Sequence, residues 1–227
     1  RKVPLMAWFT ADFNAFFKDL AKNNHKEWFD ANRKRYETSV KAPFAAFTEE
    51  AIARIAKHDK RIAIQAKDAI FRINKDIRFS KDKTPYKLEA SAIISSAGRK
   101  DHSDPGIYFA FGPESVKFYG GCYMPDKDRL HRIREAIMKD GKGLAKVTGA
   151  KAFASHFASI QGEANKILPA EFKAAAVKQP LIANKQFYVG AELPAKLVED
   201  PKLMEVFMNH WLAMRPLNVW LVKAMKG

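Results

Sequence analysis

Cysteine is nearly absent. Cys122 stands alone among 227 residues, so no intramolecular disulfide can form and nothing points to an oxidising compartment. No run approaches the roughly 18 consecutive apolar residues of a membrane-spanning helix. The opening Arg1 to Trp8 is basic at its start, but its apolar stretch is too short for a signal peptide. With no initiator Met a processed start is expected, and a cytoplasmic location is the default. Metal-ligand spacing is missing as well: His25, His58, His102, His131, His156 and His210 are scattered, and Asp101, His102 and Asp104 sit in what reads as a polar turn. No metal site and no cofactor are expected. A Gly-rich phosphate loop, a Gly-x-Ser-x-Gly elbow and a dinucleotide fingerprint are all absent, which removes several common enzyme classes without excluding an enzyme. Cys122 has no local His to activate it and reads as a small buried thiol.

Acidic charge is scarce too. Forty Lys and Arg face 25 Asp and Glu, for a net charge of +15. Residues 51–100 hold 13 basic against 5 acidic side chains, so over half of the excess lies in that block. A concentrated positive field draws anions; the alternative is a solvated basic face that keeps the chain soluble. The remaining composition is ordinary for a globular chain, 47% apolar and 29% charged, and its 17 Phe suggest an aromatic core.

Periodicity divides the chain into three regions of one domain, residues 1–227. In the N-terminal helical layer, about 10–57, Thr10 or Asp12 caps a helix carrying Phe13, Phe16, Phe17 and Leu20, and Asn23-Asn24 stops it in the left-handed conformation. A second helix is expected over His25–Val40, and a third begins at Pro43. The sheet region, about 61–124, starts with a two-residue period over Phe71–Phe79, whose odd positions read as a buried strand face. A strand within 88–97 and a hairpin turning at Gly112–Ser115 follow. Gly120-Gly121 signals a bulge or a close backbone approach. The C-terminal helices, about 127–226, start at Asp126 or Asp128 and end near Gly141. Others are expected over 151–160 and 171–178, with a short strand near Gln186–Val189. Two closing helices are separated by Pro216. Helices, then antiparallel strands, then helices make an α+β fold: a central, mainly antiparallel sheet flanked by N- and C-terminal helices.

Residues 70–87 read Ile-Phe-Arg-Ile-Asn-Lys-Asp-Ile-Arg-Phe-Ser-Lys-Asp-Lys-Thr-Pro-Tyr-Lys. Together with Asn23-Asn24, Glu27-Trp28-Phe29, Tyr36, Gly120-Gly121, Pro125, Leu130, Ile133 and Arg134, this run resembles a widespread bacterial family of conserved hypothetical proteins, domain of unknown function (DUF) 2461. The resemblance covers roughly residues 13–225. Lys75 stands where that family usually carries Arg, which keeps the charge and loses the bidentate fork. It implies no activity.

Chemistry is therefore read from the residues. On an extended backbone Arg72, Asn74, Asp76, Arg78 and Ser80 share one face, and the loop adds Lys81, Asp82, Lys83, Thr84, Tyr86 and Lys87. Two guanidiniums with amide and hydroxyl donors suit phosphate or carboxylate oxygens; a ladder of cross-strand ion pairs is the competing reading. The expected function is binding of an anionic, phosphate- or carboxylate-bearing ligand by Arg72, Asn74, Arg78, Ser80, Lys81, Lys83, Tyr86 and Lys87. One alternative is an enzyme on such a substrate with Asp76 or Glu27 as acid or base, and another is non-specific nucleic-acid binding. Asn23-Asn24 and Glu27 either lie beside this segment or simply cap and pack; Arg134 either reaches it or pairs with a surface acid one turn away.

Overall fold

Phe13, Phe16, Phe17 and Leu20 are fully buried along one side of α1 (Ala11–Lys22) in the computed structural model, which describes residues 6–226. Arg1–Leu5 lie outside the described residues. Thr10 takes the N-cap position without a side-chain hydrogen bond. Asp12 instead receives the guanidinium of Arg35, which also reaches Asp19 at 2.8 Å and so pins the second helical stretch to α1. That stretch is not one helix. It divides into α2 (Lys26–Ala31), α3 (Arg33–Tyr36) and a π turn (Glu37–Lys41). The Asn32 side chain competes for the Trp28 carbonyl at the break. Helix α1 ends at Asn23 with φ −137°, so the left-handed stop expected there is not used.

Helix α4 (Ala42–His58) starts with Pro43 in its first turn and a short α5 (Ala66–Ala69) follows. Four antiparallel strands then build the sheet in the order β1-β2-β3-β4: β1 (Ala90–Ile94), β2 (Gly106–Phe111), β3 (Ser115–Cys122) and β4 (Phe187–Pro194). Between β3 and β4 run α6 (Lys127–Thr148), α7 (Lys151–Ala154) and α8 (Ala170–Lys178). Asp126 caps α6, which continues past Gly141 across a kink at Asp140. Helix α7 is shorter than expected, because Ser155 and His156 bond back to the Ala152 carbonyl.

Helix α9 (Leu203–Lys226) closes the chain. It runs unbroken through Pro216, contrary to the two helices expected. Pro216 and Leu212, the residue whose carbonyl loses its helical donor, both lie on the exposed side, so the break in the hydrogen-bond ladder falls away from the core. Meanwhile Phe207, Trp211, Met214, Leu217 and Leu221 all bury on the same stripe. One face of the sheet meets this helix and α4: Phe109 packs 5.1 Å from Phe207 and 5.5 Å from Phe44, ring centre to ring centre. The fold is α+β, a four-stranded antiparallel sheet with helices before it, between its third and fourth strands, and after it.

Beneath β3, His210 is 7% exposed, with Nδ1–H donating to the Val206 carbonyl at 2.8 Å and the ring 4.7 Å from His156. Burial holds its pKa below the ordinary 6.5. The unfolded chain therefore takes the proton more readily. The contribution of His210 is intact above pH 6.5 and declines as pH falls below it toward the folded value. Urea denaturation at pH 7.5 and 5.5 should show a smaller pH difference for His210→Gln than for the wild-type chain.

Candidate functional site

The 70–87 segment is extended without being a sheet strand, which corrects the strand expected over Phe71–Phe79. Only isolated bridges join Ile70 to Ala92 and Asn74 to Tyr86. Two aspartates divert the backbone: Asp76 accepts from the Arg78 N–H and Asp82 from the Thr84 N–H, and Pro85 has no N–H for a ladder. The two-residue period nevertheless survives over residues 71–78. Arg72, Asn74, Asp76 and Arg78 are exposed, and Phe71, Ile73, Lys75 and Ile77 are half-buried. It fails at Phe79, which a turn from Ile77 to Ser80 leaves 95% exposed instead of on the buried side.

The sequence-predicted residues separate into three groups. Asp76 and Arg78 hold each other in a two-pronged ion pair at 2.6 and 2.9 Å on the surface. Those hydrogen bonds bring the Asp76 carboxyl down to about 2. Lys75 pairs with Asp82 at 2.7 Å, and Lys83 donates to the Ile77 carbonyl, so these side chains close the loop on itself. Lys81 is exposed and Ser80 half-buried. Tyr86, expected among ligand contacts, is instead 5% exposed and stacks on Phe29 at 4.1 Å. Asn24 fixes its backbone from both sides, donating to the Tyr86 carbonyl and accepting from its N–H. Asn24 and Phe29 thus anchor the segment to the N-terminal helices. Glu27 is exposed and hydrogen-bonded to His25, and its pKa is lowered. A general base works best with a pKa near the working pH, and both carboxyl candidates are held well under it.

Arg72 and Lys87 form the third group. Neither has an ion pair or side-chain hydrogen bond among the described residues. The Lys87 ammonium stands 5.2 Å from the centre of the Phe71 ring. Burial chiefly pushes its pKa below the ordinary value, with the nearby Arg72 guanidinium adding to this and Glu89 opposing it. Glu89 itself is taken by Lys117 at 2.9 Å. Arg72 also joins Lys41, Lys67 and Arg99, together with Glu49 and Glu89, around a groove of about 390 Å³.

Sequence reasoning missed the concavity beside Phe71. A cavity of about 410 Å³ lies on the sheet face opposite the Phe109 core and is lined by Phe71, His102, Tyr108, Tyr119, Tyr123 and Tyr188, with Gly120 and Gly121 in its floor. The same period of two that buries Phe109 and Phe118 turns Tyr108 and Tyr119 to this side, so the signal was present in the strands. Gly121 has φ +110°, and the Tyr188 backbone crosses close over it. Arg134 reaches neither this site nor a surface acid. It is buried and bonds the Ile182 and Asn184 carbonyls.

The family model for conserved hypothetical proteins (DUF2461) matches residues 12–220, nearly the whole chain. The chain belongs to that family. The matched span contains every part of the candidate site, from Asn24 through the 70–87 segment to Tyr188. No curated protein and no solved structure matches the chain. Among the described residues no cluster of His, Cys, Asp and Glu is arranged to hold a metal, and no helix is long and apolar enough to cross a membrane.

Proposed function

We propose that this DUF2461 protein binds a phosphate- or carboxylate-bearing ligand at the 70–87 segment, with Arg72 and Lys87 receiving the anionic group beside Phe71. The observation that supports this reading is a pair of neighbouring cations, neither of which forms an ion pair among the described residues. Lys87 is partly desolvated and feels the Glu89 carboxylate and, more weakly, the Arg72 guanidinium, while Glu89 forms its ion pair with Lys117. Two neighbouring cations repel, and an anion between them removes both the repulsion and the desolvation cost. Asp76–Arg78 and Lys75–Asp82 are neutral pairs that shape the loop.

Titration calorimetry with pyrophosphate tests this. Lys87→Met keeps the aliphatic packing on Phe71 and should weaken binding about tenfold, the loss of about one charge-assisted hydrogen bond. Arg78→Ala should bind as the wild type does, since its guanidinium serves Asp76. Equal affinity in the wild-type and Lys87→Met proteins would overturn the assignment.

A further inference from the structure

We infer that the tyrosine-lined face of the sheet seats the planar ring of a nucleoside-phosphate ligand, whose phosphate is the anion received by Arg72 and Lys87. This rests on the anion-binding reading and adds the ring. The strand register sets out the platform. Ile93, Tyr108, Tyr119 and Gly190 stand in one line across β1 to β4, with Ser91, Ala110, Lys117 and Glu192 on one side of it and Gly106, Gly121 and Tyr188 on the other. Large rings therefore alternate with very small residues. A Cβ on Gly190 would sit 2.3 Å from the Tyr119 ring, so the missing side chain lets that ring lie down against the backbone.

The rings form a continuous row. Phe71 to Tyr108 is 6.1 Å, Tyr108 to Tyr119 is 6.4 Å and Tyr119 to Tyr188 is 6.2 Å between centres, each tilted by 54–55°. Stacked faces need about 3.5 Å on each side. No ring can slide between neighbours this close, so a ligand ring lies on top of the row. A cavity of about 410 Å³ falls within the range of small-molecule sites, and base-on-aromatic stacking is the interaction such a platform offers.

Charge runs along the row in one direction. Lys87 and Arg72, which form no ion pair among the described residues, stand at the Phe71 end. Farther along, the Tyr119 hydroxyl donates to Glu192 at 2.6 Å, while at the Phe71 end Glu89 is held by Lys117. A nucleic-acid strand running along the row would bring a later phosphate over the Glu192 carboxylate. A ligand with one anionic end and one uncharged ring matches the gradient, and the remaining lone pairs of Glu192 can accept an exocyclic N–H.

The test compares AMP, adenosine, ribose 5-phosphate and a ten-residue oligodeoxyadenylate by calorimetry on the full chain. AMP should bind at least tenfold more tightly than ribose 5-phosphate. Tyr119→Ala should abolish that advantage while leaving ribose 5-phosphate binding unchanged, and Tyr119→Phe should retain it. If Tyr119→Ala does not fold by circular dichroism, Gly190→Ala displaces the same ring and must give the same loss. Equal binding of AMP and ribose 5-phosphate would overturn the ring seat and leave the anion site standing. Adenosine binding as tightly as AMP would keep the ring seat and overturn the anion site. No binding of any probe would overturn both. Tighter binding of the oligonucleotide, falling steeply with salt, would replace the small ligand by a nucleic-acid strand.

Discussion

Gly121→Ala should cost about 4 kcal/mol and lower the thermal midpoint by about 10 °C, in a substitution that adds only one methyl group. Two separate penalties meet at this position. At φ +110° an L side chain is strained, at about 1–3 kcal/mol. Its Cβ would also lie 2.2 Å from the Phe187 carbonyl oxygen and 2.9 Å from the Tyr188 Cα. Those are backbone atoms of β4, fixed by pairing with Cys122 and Gly121 themselves, so relief requires the two strands to separate. Overpacking of that kind costs about another 1–3 kcal/mol, and each kcal/mol moves the midpoint of a chain this long by about 2–4 °C. Gly190→Ala is the informative companion. Its Cβ meets only the Tyr119 side chain, which can swing away. That variant should keep most of the stability and lose the ring seat. Differential scanning calorimetry of the two variants separates backbone strain from cradle shape, and a Gly121→Ala midpoint within about 2 °C of wild type would show that the tight crossing carries no strain.

Much of this architecture could be read from local pattern. Phe13, Phe16, Phe17 and Leu20 announced their helix because four burying positions recur at helical spacing, and Gly112–Ser115 announced the β2–β3 turn. The alternation over residues 71–78 also held, because it depends on an extended backbone and not on a sheet partner. What pattern could not supply was pairing at a distance. Asn24 holds Tyr86 across 62 residues, and no periodicity in either segment encodes that bond. The same bond, with Phe29, turned Tyr86 from a ligand contact into an anchor. The cradle needs β2, β3 and β4 side by side, and β4 arrives only after three helices, so Tyr188 gave no sign of belonging with Tyr108 and Tyr119. Pro216 misled for the opposite reason. Its local rule is sound, but burial of Phe207, Trp211, Met214, Leu217 and Leu221 on one stripe outweighs a single lost hydrogen bond facing water.

Arg134 shows how far a long-range contact can change the meaning of a residue, and its removal should have the second large effect. Read locally, a guanidinium among Leu130, Ile133 and Ile137 belongs on a helix surface. In the fold it is 5% exposed, donates to the Ile182 carbonyl at 2.8 Å and the Asn184 carbonyl at 3.2 Å, and lies 6.0 Å over the Phe172 ring. Burial lowers its pKa, yet an arginine remains charged at any working pH. It thus ties α6 to the turn that leads into β4 and places Tyr188. Arg134→Ala leaves two carbonyls without their donors, at about 1–3 kcal/mol each, and opens a cavity. A loss of about 4 kcal/mol is expected, with a midpoint lower by about 10 °C. Arg134→Lys should fall between the two, because a single ammonium lacks the planar fork that spans both oxygens. The deciding variant is Arg134→Met. It removes the buried charge and fills the space, so a neutral or stabilised protein would mean that the guanidinium costs more to bury than its two hydrogen bonds return. A Met variant nearly as unstable as the Ala variant would show that the carbonyls, and through them the position of β4, depend on those donors.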